Sequence, residues 1–161
     1  MPTLIFRDED EERAGLTEFV RVLHQLRSTS LIPLDTRLVG FNIQQFDAPV
    51  FVTRCRMLGV KPPGLDIRKY GSKDIVDLMA DLSFGLDPDK AIMRRSQKAL
   101  AARFGIETDD ATSGADVAEM AARGDYEAIA AHCQSDLDVL GRLYRLVYGE
   151  TARGVLFDLE T

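Results

Sequence analysis

The spacing of apolar residues predicts an α/β domain in which short strands alternate with helices. Three observations carry this. Helical spacing of three and four recurs in two stretches, one at Leu16, Phe19, Val20, Leu23 and Leu26 and one at Ile129, Cys133, Leu140, Leu143 and Val147. Short apolar runs of strand length stand between turn-forming residues at 3–6, 37–42, 74–78 and 155–160. Of the 161 residues, 45% are apolar and 29% charged, which suits a single domain over 1–161 with its own core and excludes a wholly disordered or collagen-like chain.

Each element has a local cause. Residues 3–6 (TLIF) read as a short strand, and the acidic run at 8–12 leads into the first long helix, where acids suit the N-terminal end of the helix dipole. Ser28, Thr29 and Ser30 end that helix. A second strand is expected at 37–42; it runs into Asp47-Ala48-Pro49, a helix start with Pro just inside, lined by Phe51, Cys55 and Leu58 up to Gly59. Residues 61–72, punctuated by Pro62, Pro63, Gly64 and Gly71, are expected to be loop, and a short strand or strand-like turn follows at 73–78. After a turn at 85–89 come a helix from Ser96 to Phe104 closed by Gly105, a polar loop at 107–116 and a short helical piece at 117–122. A long helix spans about 125–148, and 155–160 form a last strand after a turn.

Charge is unevenly spread. Residues 1–36 carry 4 bases and 7 acids, residues 37–105 carry 12 and 7, and residues 106–161 carry 4 and 12, which gives the net −6. An acidic total argues against coating nucleic acid through bulk charge, but a basic middle leaves room for a local phosphate contact. Apolar runs fall short of the roughly 18 residues a membrane span needs. The acidic start resembles neither a secretory signal nor a transit peptide, so a soluble cytoplasmic domain with no membrane partner is expected. Cys55 and Cys133 are too few for a disulfide framework, and with His24 and His132 too scattered for a zinc site. His24, on an amphipathic helix, is expected at the surface without a role.

The informative signals are acids where the pattern asks for something else. Asp136 lies in the middle of the apolar stripe of the long helix, with His132 one turn away on the same side. A buried carboxylate costs several kcal/mol unless paired or metal-bound; the bland alternative is an Asp at the stripe's edge that reaches water. In the strand at 155–160, Asp158 and Glu160 project from one face, where a divalent cation with hard oxygen ligands such as Mg²⁺ or Mn²⁺ would relieve their repulsion. The alternative there is a solvated face. Asp47 follows a strand and opens a helix, where its bland reading is an N-cap.

Together these pieces resemble the DEDD superfamily of 3′–5′ exonucleases, which includes polymerase proofreading domains and RNA-trimming enzymes. The first motif of that superfamily, a strand with D-x-E, is matched by Asp158-Leu159-Glu160. The second, Asn-x₄-Asp entering a helix, is matched by Asn42 to Asp47 with Phe46 and Pro49 around it. The third, on a late helix, is matched by His132 to Asp136, with the spacing of the Tyr type but a His in place of the Tyr. The resemblance implies a ribonuclease H-like mixed sheet flanked by helices. It also implies a reordered chain, because the D-x-E strand starts the domain in the family and ends it here. Three arrangements accommodate that order: a circular permutation lacking one antiparallel strand, a fragment whose downstream part is missing, or a homodimer in which strand exchange completes a neighbour's site.

What the resemblance implies for chemistry is phosphodiester hydrolysis at the 3′ end of single-stranded DNA or RNA, with two divalent cations, Mg²⁺ or Mn²⁺. Asp158, Glu160, Asp47 and Asp136 would hold the metals and His132 would act as general base. Asn42 would be a substrate or supporting contact. Among groups that could hold the nucleic acid, Lys90, Arg94, Arg95 and Lys98 form one basic set, and Arg54, Arg56 and Lys61 a second; solvated helix faces are the alternative for both. Phe46 and Phe41 could stack on a terminal base, although core packing is the expected role of each, and Tyr70 is the more open stacking candidate. The alternative function is a catalytically silent ribonuclease H-like module that binds nucleic acid or a partner protein.

Overall fold

The computed structural model describes residues 5–29, 37–67, 72–82 and 96–149. They fall into two compact units, one formed by the described residues from 6 to 82 and one by Ile5 with those from 96 to 149. The expected turn at 85–89 and strand at 155–160 lie outside the described residues, as do Thr3 and Leu4; Ile5 and Phe6 are not in a strand.

In the first unit, α1 (Glu9–Thr29) starts where the acidic run predicts. Asp8 Oδ1 accepts the N–H groups of Asp10 and Glu11 at 3.0 and 2.8 Å, and Glu11 Oε2 accepts the Arg7 N–H at 2.9 Å. These contacts satisfy donors that a helix start otherwise leaves open. Val20 and Leu23 are buried, and Phe19 meets Phe51 of α2 (Asp47–Met57) edge to face at 5.3 Å. Arg54 grips Glu12 through two hydrogen bonds, Nε to Oε1 at 2.7 Å and Nη2 to Oε2 at 2.5 Å, tying α2 to α1. Cys55, Leu58 and Val52 are buried and Phe51 half-buried, so the expected inner face of α2 forms.

Strands β1 (Leu38–Gly40) and β2 (Ile75–Asp77) pair in parallel, with Leu38 opposite Ile75, Val39 opposite Val76 and Gly40 opposite Asp77. A parallel pair needs a crossover connection, and α2 lies in it. Ile43, Ala48 and Ile75 form a small core against which Leu38 packs. β2 passes directly into α3 (Leu78–Leu82), whose Leu78 is fully buried. Among the described residues the sheet has these two strands, so the expected mixed sheet is seen only in its parallel part.

The second unit is helical. α4 (Gln97–Arg103) is capped by Ser96, whose Oγ accepts the Ala99 N–H at 3.2 Å, and closes at Gly105. α5 (Val117–Arg123) ends at Gly124, whose φ of 73° is the left-handed turn that glycine adopts without strain. α6 (Tyr126–Tyr148) is capped by Asp125, and α4 and α5 both pack on it. The buried face of α6 carries His132, Val139, Leu140, Leu143 and Tyr144, whereas Val147 is 37% exposed. The expected stripe is therefore rotated, and the residue it buries near the helix centre is His132 rather than Asp136.

Candidate functional site

In the first unit, the turn from β1 into α2 carries two of the expected residues. Gly40 ends β1, and a Cβ there would lie 2.6 Å from the Ile43 Cβ, so only glycine permits so close a return. Asn42 follows with φ 59°, a left-handed conformation that Asn tolerates. Its carbonyl accepts the N–H groups of Gln45 and Phe46, both at 3.2 Å. The turn is held from the sheet by Asp77, at the C-terminal end of β2 and only 7% exposed. Asp77 Oδ1 accepts the N–H groups of Asn42 and Met79 at 2.9 and 3.1 Å, and Oδ2 accepts the Gln44 N–H at 3.2 Å. The Asn42 Oδ1 is buried with no hydrogen-bond partner. This is the C-terminal edge of a parallel strand pair, where open α/β sheets place their ligands.

The turn delivers Phe46 and Asp47. Phe46 is 63% exposed, so the core packing expected of it does not occur; Phe41 is half-buried. Asp47 is the first residue of α2, and the N-cap position falls on Phe46, which makes no side-chain cap, so the bland N-cap reading of Asp47 does not hold. Desolvation of its carboxyl pushes the Asp47 pKa up, helped by the negative charge of Asp77 and opposed by Asp47's own N–H, although the residue as a whole remains exposed.

In the second unit, α6 places His132 and Asp136 one turn apart, with His132 Nε2 3.6 Å from Asp136 Oδ2. The His132 side chain is 6% exposed and that of Asp136 41%. Asp136 therefore sits at the edge of the buried face and reaches water, as the bland alternative has it. Its backbone carbonyl accepts a hydrogen bond from Gln97 Nε2 at 2.5 Å. The other ring nitrogen of His132, Nδ1, lies 2.6 Å from Asp110 Oδ2. Asp110 also takes the Lys98 ammonium on Oδ2 at 2.9 Å and the Thr112 N–H on Oδ1 at 2.8 Å. Hydrogen bonds from His132, then Lys98 and Thr112, hold the Asp110 carboxyl far below the usual carboxylate range. The Lys98 ammonium donates as well to the carbonyls of Asp110 and Thr112, so its three N–H groups meet three acceptors of one loop.

Asp110, His132 and Asp136 each offer one ligand atom, all within 4.8 Å of one another. One imidazole nitrogen beside carboxylate oxygens suits a divalent cation. Asp110 already accepts three protein donors, which leaves the half-exposed Asp136 carboxylate as the group's open oxygen donor, with His132 Nε2 facing it. Sequence reasoning singled out His132, Asp136, Asn42, Asp47, Phe46 and Lys98, all of which are described. Asp158, Glu160, Tyr70, Arg94 and Arg95 lie outside the described residues. It missed Asp77 and Asp110. Asp77 had a usable signal, an acid closing the apolar run Ile75-Val76; Asp110, in a polar loop, had none.

No helix among the described residues is long and apolar enough to cross a membrane. The RNase_H_2 family model, described as RNase_H superfamily, matches residues 4–148, a span that contains Asn42, Asp47, His132 and Asp136 and stops before Asp158 and Glu160. Searches of the curated proteins and of the solved structures gave no match. With a match that runs from ahead of α1 to the last residue of α6, the chain belongs to the RNase H superfamily.

Proposed function

We propose that the protein is a metal-dependent 3′–5′ exonuclease acting on the 3′ end of single-stranded DNA or RNA. The observation that supports this most is the His132–Asp136 pair on α6, with Nε2 and a carboxylate oxygen 3.6 Å apart, in a chain of the RNase H superfamily. That membership supports a nuclease-type or nucleic-acid-binding module; the finer assignment is ours.

Asp47, Asp136, Asp158 and Glu160 would hold two divalent cations, Mg²⁺ or Mn²⁺. When bound, such ions supply Lewis acidity for the water and charge stabilisation for the departing 3′ oxygen. Hydrolysis forms a bond from the water oxygen to phosphorus and breaks the bond to the 3′ oxygen. His132 Nε2 would accept the proton that the water loses. Asp136, on the same helix and 3.6 Å from that nitrogen, keeps its carboxylate oxygens half-exposed for ligation. Phe46, exposed beside Asp47, offers a face for a terminal base, and Asn42 supports the turn that carries both. Tyr70, Arg94 and Arg95 are proposed strand contacts. Lys98 would reach a phosphate only by giving up its contacts to the loop at 110–112.

The test is a 5′-labelled single-stranded oligonucleotide incubated with Mg²⁺ or Mn²⁺. A ladder shortening from the 3′ end, lost in Asp136→Ala, supports the enzyme. No digestion with either metal overturns it in favour of a silent nucleic-acid-binding module, a reading favoured by the family match ending before Asp158 and Glu160.

A further inference from the structure

We propose that Asp110 is a positioning residue that holds His132 in the Nδ1–H tautomer, leaving Nε2 as the bare nitrogen beside Asp136. This deepens the nuclease reading and rests on it for its catalytic consequence, but the tautomer itself can be tested without it.

The argument starts from what a carboxylate can do. An ionised Asp only accepts hydrogen bonds, so with Asp110 Oδ2 2.6 Å from His132 Nδ1 the proton must sit on Nδ1. In the neutral ring the lone pair is then on Nε2. The carboxylate has little freedom to turn away. Oδ1 is held by the Thr112 N–H at 2.8 Å and Oδ2 by the Lys98 ammonium at 2.9 Å. Lys98 also ties the Asp110 and Thr112 carbonyls. A second clamp joins the same loop to α6, with Thr108 Oγ1 3.0 Å from Ser135 Oγ.

A buried histidine pinned by an acid could be no more than a core contact. The far side of the ring argues otherwise. There Nε2 faces the Asp136 carboxylate across 3.6 Å, longer than a hydrogen bond. In the neutral ring, a lone pair opposite a carboxylate is repulsive, and a water hydrogen or a cation near both relieves it. Asp110 thus works at the closed end of the imidazole, and the open end is presented to the place where the proposed chemistry needs an acceptor. Carboxylate–histidine pairs of this kind fix ring orientation and tautomer in many metal sites, and losing the outer partner costs about 10–100-fold in affinity or activity.

The experiment is ¹⁵N NMR of the imidazole nitrogens in the full chain, metal-free and in alkaline solution. The chain has 2 histidines, and His24, exposed on α1, serves as internal reference. His132 should show a protonated Nδ1 and a bare Nε2, while His24 shows the ordinary mixture of a free imidazole. In Asp110→Ala no carboxylate faces Nδ1, so the Nδ1–H preference should be lost and a protonated Nε2 should appear. A His132 spectrum like that of His24, or a bare Nε2 that persists in Asp110→Ala, overturns the proposal, and the first of these needs no variant to fold. On the labelled oligonucleotide, Asp110→Ala should lower kcat at least about 10-fold with KM nearly unchanged. If the wild-type protein shows the expected tautomer and digests nothing, the nuclease reading fails and the assignment of Asp110 stands. If the protein digests and Asp110→Ala digests equally fast, Asp110 does not position the base.

Discussion

Replacing Asp77 should reveal how much of the first unit depends on one buried carboxylate. It accepts three backbone N–H groups: Oδ1 those of Asn42 and Met79 at 2.9 and 3.1 Å, Oδ2 that of Gln44 at 3.2 Å. Removing an acceptor from a buried donor costs about 1–3 kcal/mol. Taking about 1 kcal/mol for each donor, at the low end because solvent reaches the turn at Gln44, Asp77→Ala should destabilise by about 3 kcal/mol. Asp77→Asn is a sharper probe. Its carbonyl can keep both Oδ1 contacts, while its amide faces the Gln44 N–H donor to donor, so a loss of about 1–2 kcal/mol is expected. The chain has no Trp, so urea unfolding is best followed by helical circular dichroism. With a slope of about 2 kcal/mol/M, the alanine variant should unfold about 1.5 M earlier. Amide exchange at Asn42, Gln44 and Met79 should rise together in the alanine variant and at Gln44 alone in the asparagine variant. An alanine variant within about 0.5 kcal/mol of wild type, the range of ordinary surface changes, or two variants of equal stability, would refute the reasoning.

Other consequences follow from the same geometry. His132, Lys98 and Thr112 hold the Asp110 carboxyl below its unfolded value, so its contribution to stability is present above an ordinary Asp pKa and is lost as pH falls through the folded one. Wild type should therefore lose more stability than Asp110→Asn between neutral pH and about pH 3, around and below the unfolded value of about 3.9; equal acid limbs in urea titrations would contradict this. Asp47 has the opposite sign: its pKa is raised by desolvation and by Asp77, so its ionised form disfavours folding. Asp47→Asn should gain about 0.5 kcal/mol at neutral pH, small because solvent screens an exposed group, while calorimetric Mn²⁺ binding weakens; a less stable variant would count against it. Phe46→Ala should leave stability within about 0.5 kcal/mol, given 63% exposure. It should weaken single-stranded oligonucleotide binding by the roughly 1–3 kcal/mol of one stacked base, and unchanged affinity by fluorescence anisotropy would remove Phe46 from the interface.

Most element positions were legible because their causes are local. Asp8 before α1, Ser96 before α4, Gly105 after it and Asp125 before α6 are capping residues that act within one turn of themselves. The candidate site was legible only where an acid interrupts an apolar pattern. That rule found Asp136 for a partly mistaken reason: its side chain is 41% exposed, so the burial penalty invoked for it falls instead on His132. The same rule, applied to Ile75-Val76-Asp77, would have marked Asp77. Asp110 could not be found this way. Acids are ordinary in polar loops, and what sets Asp110 apart is a ring nitrogen 22 positions later in the chain, a pairing made by the return of α6 rather than by any local pattern.

The acids of the two units divide by what surrounds them. Asp77 is buried and Asp110 partly so, and each carboxylate is matched to protein donors, three backbone N–H groups for the first and a ring N–H, an ammonium and a backbone N–H for the second. Satisfied in this way, a buried carboxylate fixes geometry, because turning it would strand several donors at once. Asp47 and Asp136 are the opposite case, exposed or half-exposed, each standing beside one of the satisfied pair's clients: Asp47 after the turn that Asp77 holds, Asp136 beside the imidazole that Asp110 holds. A metal ligand needs open oxygens in a fixed place, and one residue rarely provides both. In each unit the acid proposed as a ligand is therefore a different one from the acid whose hydrogen bonds hold the fold.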